Sequence, residues 1–232
     1  MNTEDIVTIH SYETPRTSSE FTEWWNDRYR KYGETRAGIV YCREGKGLSK
    51  KFHEEAHPMC TFMSVYFSGT AIRCRLLAGN DPEDAVLIDE AGHVFKKIQI
   101  TFATDGRTER LRSRELTRIG HVDGLGKPME FGRGRSKTVT FPTAEASRHQ
   151  DHVDELVTMV RQRIETKSSK AYGAEFELVV GFSDRCLDQE DANSFVKLKA
   201  ETPHRFSEIY LIGIHGVIVV PDRAAVFLGR NV

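Results

Sequence analysis

Asp84 stands at the head of a short apolar run, Ala85-Val86-Leu87-Ile88, and Gln99 sits between Ile98 and Ile100 in a second run beyond a turn at Gly92. The pattern reads as two short strands joined by a tight connection, placing an acid and an amide oxygen on neighbouring strands. Mg²⁺ takes hard oxygen ligands of this kind and keeps several of its waters, so two or three protein ligands suffice. The amide offers a neutral carbonyl oxygen where a carboxylate would add charge, so the pair binds a cation less strongly than two acids would. Upstream, Glu54 and Glu55 lie in a stretch read as a helix over residues 48–57, and either could bring a further carboxylate.

Each of these residues also has an ordinary role. Asp84, close after Pro82, suits a turn or cap. Glu54 and Glu55 suit a solvated helix face. Gln99 points away from Ile98 and Ile100, and would meet solvent if the sheet were covered on one side only.

A second chemistry overlaps the first. His53-Glu54-Glu55-Ala56-His57 matches the HExxH string, in which two histidines of one helix hold zinc and the glutamate activates water. Pro58 follows at once, and the third ligand would have to come from Glu83, Asp84 or His93. His149 and His152 lie three apart beside Asp151 and Asp154, with no third ligand evident, so capping or surface placement is expected.

The cations cluster. Arg110, Arg114 and Arg118 recur every four residues on one face of a helix expected over 107–120, and Arg133, Arg135 and Lys137 follow in a Gly-rich stretch. Such a ridge could neutralise phosphates, the main source of nonspecific nucleic-acid affinity. The competing reading pairs these arginines with Glu109, Glu115 and other acids.

The elements that must position these groups follow from periodicity. Residues 1–17 read as a loosely held arm. Ser18 or Ser19 caps a helix to about residue 32, ended by Gly33, with Phe21, Trp24, Trp25 and Tyr29 as its core face. Residues 37–42 read as a strand, and Pro58 should kink the next helix or start a new one. Strands follow at 71–78, 84–88 and 97–103. A turn-rich basic loop spans 121–142 and ends in a short strand at 138–141. A long helix over 144–168 carries Val153, Leu156, Val157, Val160 and Ile164. The run 176–182 is a buried strand, 186–205 is partly helical, and 209–214 and 217–220 are a final strand pair. Such mixing implies an α/β or α+β sheet with helices on both faces.

Composition bounds the rest. The 232 residues suit one large domain, with or without a small appendage. A net charge of −1 gives no global field toward nucleic acid or membrane, so a nucleic-acid role requires a local basic patch. No apolar run is long enough for a transmembrane helix, and the polar N-terminus is unlike a secretory signal. Cys42, Cys60, Cys74 and Cys186 show no CxxC spacing, which argues against zinc and a disulfide framework and for a cytoplasmic protein.

Taken in chain order, Phe52 with Glu54-Glu55 and Pro58, Asp84 at a strand start, Ile98-Gln99-Ile100-Thr101, and a later helix with Lys167 and Lys170 before the strand 176–182 resemble the restriction-endonuclease-like PD-(D/E)XK superfamily. The likeness spans about residues 45–182 and is strongest to uncharacterised bacterial members with a hydrophobic-Glu/Gln-hydrophobic-Thr strand end. It implies an α/β fold with a central mixed sheet. It also implies an N-terminal helical extension over 1–44 before a nuclease-like domain over 45–232. The implied activity is Mg²⁺- or Mn²⁺-dependent cleavage of DNA or RNA, with Glu55, Asp84 and Gln99 on the metal. Thr101 stands where the family's lysine projects, so Lys167 or Lys170 would replace it. Arg110, Arg114, Arg118, Arg133 and Arg135 would grip the nucleic acid; no membrane is involved, and a homodimer is allowed. The alternatives are a decayed nuclease-like fold that binds nucleic acid or protein and, more remotely, an HExxH zinc metalloprotease.

Overall fold

The chain forms, in order, helices α1 (Ile9–Glu13), α2 (Ser18–Gly33), α3 (Arg36–Glu44) and α4 (Leu48–Lys51), a π-helical turn (Phe52–Ala56), and α5 (His57–Tyr66). Strands β1 (Arg73–Leu76), β2 (Ala85–Ile88) and β3 (Val94–Ala103) follow, then α6 (Gly106–Ile119), β4 (Met129–Phe131) and β5 (Thr138–Thr140). The last elements are α7 (His149–Ser168), β6 (Phe176–Phe182), α8 (Ala192–Glu201), β7 (Glu208–Gly213), β8 (Ile218–Val220) and β9 (Val226–Phe227). This computed structural model describes residues 6–45, 47–122, 127–132, 138–142, 149–170, 172–184, 187–215, 218–220 and 226–227.

One mixed sheet runs β1-β2-β3-β6-β7-β8-β9, while β4 and β5 form a separate hairpin. The first three strands are an antiparallel meander. β6 pairs parallel to both β3 and β7. Parallel strands at the centre are covered on both sides, which is why Phe-Glu-Leu-Val-Val-Gly-Phe in β6 is buried at every position.

The period-2 alternation of the strands divides the interior into two cores. Ile98, Ile100, Val179 and Ile212 pack with Phe21 and Trp24 of α2 and Met59, Phe62 and Met63 of α5. Leu178, Val180, Ile209 and Leu211 pack with Val153, Leu156, Val160 and Ile164 of α7 and Phe195 and Leu198 of α8. The fold is therefore α/β, a mixed sheet with helices on both faces. Gly181 lets α5 settle on its side: a Cβ there would lie 2.7 Å from Pro58 Cγ and 2.8 Å from Phe102 Cδ2.

Three expectations are corrected. Residues 37–42 are helical, not a strand. Thr35 caps α3 by accepting from the Gly38 N–H at 3.0 Å, and Gly45 closes it in the left-handed region at φ 56°. These end signals outweigh the β-branched composition between them. Residues 6–17 are docked, not loose: Tyr12 is fully buried, and Arg16 exchanges backbone hydrogen bonds with Cys74 on the edge strand β1. Tyr29 leaves the core face of α2 and lies about half exposed, stacked on Trp25.

Of the two expectations for Pro58, a kink or a new helix, the second holds. Pro58 sits in the first turn of α5, where no N–H is required, and the preceding five residues widen into a π turn. Among the described residues no helix is long and apolar enough to cross a membrane. Cys42, Cys60 and Cys74 are free thiols.

Candidate active site

The β2–β3 register pairs Ala85 with Ile98, so one step further Asp84 lies beside Gln99. Asp84 is stitched to the neighbouring strand: its N–H donates to the Ile98 carbonyl at 2.9 Å and its Oδ2 accepts from the Ile100 N–H at 2.8 Å. Gln99 lies opposite Ile98 and Ile100, as alternation requires. It does not meet solvent, being only 1% exposed on the face covered by α7. Its Nε2 donates to the Pro82 carbonyl, and that bond aims Oε1 away from the Pro82 loop.

Lys167 comes down on this pair from α7. The buried stripe Val153, Leu156, Val160, Ile164 continues at the next helical step to position 167, so the helix that packs on the sheet delivers the ammonium to it. Lys167 Nζ donates to Gln99 Oε1 at 2.6 Å and to Asp84 Oδ2 at 3.3 Å. Burial lowers the Lys167 pKa, and the charge of Asp84 opposes that shift. Lys170 is exposed past the helix end and acts on Lys167 through its charge.

Glu55 arrives from the other face of the sheet. The π turn separates it from its neighbour: Glu54 reaches outward to Lys50 at 3.7 Å, whereas Glu55 turns inward. Its Oε2 accepts from the Tyr12 hydroxyl at 2.8 Å and from Lys51 Nζ at 3.4 Å. Lys51 also donates to the Leu77 carbonyl at 3.2 Å. Burial, then the nearby charge of Asp84, raises the Glu55 pKa, while Lys51 and the Tyr12 hydrogen bond oppose the rise. Burial and the same two carboxylates push the Tyr12 phenol well above its ordinary value. Tyr172 closes the rim, its ring centroid 6.0 Å from Lys167 Nζ.

Two carboxylates, an amide oxygen, two ammonium groups and two phenols thus converge where β2, β3, the π turn and α7 meet. Glu55, Asp84, Gln99 and Lys167, read from the sequence, are brought together. Tyr12 and Lys51 were missed. Tyr12 had no local signal beyond the Thr8–Ser11 capping box that starts α1, and its role depends on a contact spanning 43 residues.

The donor set fits Mg²⁺ or Mn²⁺. All its atoms are hard oxygens, the two carboxylates repel each other across a half-buried gap, and each uses only one oxygen in the hydrogen bonds described above. The Lys167 ammonium meanwhile bridges the Asp84 and Gln99 oxygens as a cation would.

The HExxH histidines take separate partners. His53 Nε2 lies 2.5 Å from Cys42 Sγ, and the His57 ring stacks on Trp25 at 4.3 Å. Burial drops both rings to about 4, with the charges of His53 and His215 adding to the shift at His57. Among the described residues, the ligand atoms of three His, Cys, Asp or Glu come within 4.8 Å of one another only at His149, Asp188 and Asp191. His149 thus gains the partners that the sequence reading did not see. The three are joined by His149 Nε2 contacts to Asp191 at 2.9 and 3.0 Å and by turn hydrogen bonds around Asp188, which fasten α7 to the start of α8.

On α6, Arg118 is held by Glu115, Arg112 by Glu109 and Arg107 by Glu130. Arg110, Arg114 and Arg118 line a pocket facing α3. Arg133 and Arg135 lie outside the described residues. The chain matches no known family model, and no curated protein or solved structure was found to be similar to it.

Proposed function

We propose that the protein is a metal-dependent nuclease of the PD-(D/E)XK type, cutting phosphodiester bonds in DNA or RNA. The observation that carries this reading is the meeting of Lys167 with Gln99 and Asp84 at 2.6 and 3.3 Å. Thr101 leaves the second strand without the cation that phosphodiester cleavage uses, and a lysine from the following helix arrives at the same two side chains.

Glu55, Asp84 and the Gln99 carbonyl would hold Mg²⁺ or Mn²⁺. A bound ion supplies Lewis-acid polarisation of the phosphate and lowers the pKa of water. The chain's own groups have distinct tasks. Tyr12 and Lys51 fix the Glu55 carboxylate, the Ile100 N–H fixes Asp84, and Lys167 offers a desolvated donor to phosphate oxygens gathering charge. Three free thiols suit a cytoplasmic setting.

A second reading, a nuclease-like fold that binds without cutting, is favoured by the ammonium already occupying the Asp84–Gln99 oxygens. One experiment separates them: plasmid and single-stranded substrates incubated with Mg²⁺, Mn²⁺ or EDTA, beside calorimetric metal titration. Metal-dependent cleavage lost in Asp84→Ala supports the nuclease. Metal binding without cleavage, or neither, supports the binding module. Cleavage that survives Asp84→Ala, or that proceeds in EDTA, sinks the active-site assignment.

A further inference from the structure

We propose that the pocket between α3 and α6 binds a phosphomonoester, the terminal phosphate of a nucleotide or of a nucleic-acid end. The pocket has a volume of about 460 Å³ and is lined by Arg43 and Glu44 of α3 and by Arg110, Arg114, Thr117 and Arg118 of α6. The α6 residues fall at i, i+4, i+7 and i+8, a single helical face. Arg43 and Glu44 close the opposite side from the last turn of α3.

The charge balance of the lining is lopsided, with four guanidinium groups facing one carboxylate. Arg118 is fixed by Glu115, which donates no charge to spare: Glu115 is buried and accepts two bonds from Arg118, at 2.9 and 2.6 Å. Among the described residues no acid forms an ion pair with Arg43, Arg110 or Arg114. The contrast lies within the same helix, since Arg107 and Arg112, off this face, each have an acidic partner. Like charges gathered in a concavity repel, and their mutual field attracts an anion. A second observation points the same way. The Thr117 hydroxyl oxygen, in the pocket lining, is buried with no hydrogen-bond partner. A buried hydroxyl left unmatched is costly, and a turn about χ1 would bring it to donate to a phosphate oxygen in the pocket.

The ligand follows from charge and shape. Guanidinium forks pair with phosphate oxygens two at a time. A diester phosphate brings one negative charge and two free oxygens. A phosphomonoester brings about two charges and three strong acceptors, the better match for a convergent arginine cluster. The volume falls in the range of small-molecule sites, with room for a nucleoside behind the phosphate.

The test uses the full chain in EDTA, which separates it from metal-dependent cleavage at Asp84. The probes are adenosine 5′-monophosphate, adenosine, and a short oligonucleotide with either a 5′-phosphate or a 5′-hydroxyl, each titrated calorimetrically. The expected result is binding of a phosphorylated probe in preference to its unphosphorylated twin. Arg43→Gln, and separately the pair Arg110→Gln with Arg114→Gln, should weaken that binding about tenfold, while Arg107→Gln leaves it unchanged. Binding of the phosphorylated oligonucleotide without the mononucleotide identifies a strand end, and displacement of the oligonucleotide by the mononucleotide identifies a nucleotide ligand. Equal affinity for phosphorylated and hydroxyl probes, an equal loss in Arg107→Gln, or no binding of any phosphate probe overturns the proposal. Failure here leaves the nuclease reading standing, and failure of cleavage leaves this pocket standing.

Discussion

The interior site and the arginine pocket handle charge in opposite ways. Around Asp84 every charge has a counter-charge: Lys167 meets Asp84, and Lys51 meets Glu55. On α3 and α6 the guanidinium groups of Arg43, Arg110 and Arg114 gather around a single carboxylate, Glu44, and among the described residues none of the three arginines has an ion-pair partner. Desolvation explains the difference. A half-buried ion without a partner costs several kcal/mol, so the interior must be balanced whatever its function. Exposed guanidinium groups keep their water, and imbalance costs little there. A balanced buried network is therefore weak testimony for catalysis by itself, whereas an unbalanced concave surface speaks directly for an anionic ligand.

The largest expected effect tests the interior. Asp84→Asn and Lys167→Gln should each lower metal-dependent cleavage about 100-fold or more, measured as single-turnover rates on a plasmid. Asp84→Ala should also cost about 1–3 kcal/mol in urea denaturation, because Lys167 is left half-buried beside an amide alone. Adding Lys167→Met should recover part of that loss. If the double variant is no more stable than Asp84→Ala, the two charges are not balancing each other.

Acidification comes next. The His53 and His57 rings are held neutral down to about 4 by burial, against an ordinary value of 6.5. Between these values the unfolded chain takes up protons that the folded chain refuses, so stability is full above about 6.5 and falls as the pH drops toward 4. The loss is at most about 3–4 kcal/mol per ring, and His57→Phe should flatten the Tm–pH curve across that window. The arginines do not titrate there, so an acid-sensitive pocket structure would break the contrast between the two regions.

Gly181→Ala should cost about 1–3 kcal/mol, since the new methyl meets Pro58 and Phe102 at under 3 Å. By lifting α5 it should also disturb Glu55 and lower cleavage beyond the stability loss. The smallest effect belongs to the surface. Arg110→Gln with Arg114→Gln should leave stability within about 0.5 kcal/mol, with any change favourable as repulsion is relieved. A loss above 1 kcal/mol would mean that these arginines hold the fold, not a ligand.

Much of the architecture was legible in local pattern. Phe176–Phe182 is a continuous apolar run, and the structure has the strand at those residues. The helix expected over 107–120 is α6, and Asp105 caps it by accepting from the N–H groups of Arg107 and Thr108. The α3 segment misled because Ile39, Val40 and Tyr41 favour strands, while the deciding signals lay at its two ends. Asp84 and Gln99 were legible as neighbours because strand pairing follows from a short connection. Lys167 was legible as one of two candidates, and the buried stripe of α7 chose between them.

Local pattern was enough for most of the strands and helices and for the chemical types that could meet at β2 and β3, because these depend on residues near in the chain. It could not show that Tyr12 reaches Glu55, that a π turn rotates Glu55 inward while Glu54 faces Lys50, or that Arg43 completes a pocket with α6. Those are contacts between segments tens of residues apart. Only the packing of both helical layers on the sheet decides them, because side-chain direction there is set by where the cores close.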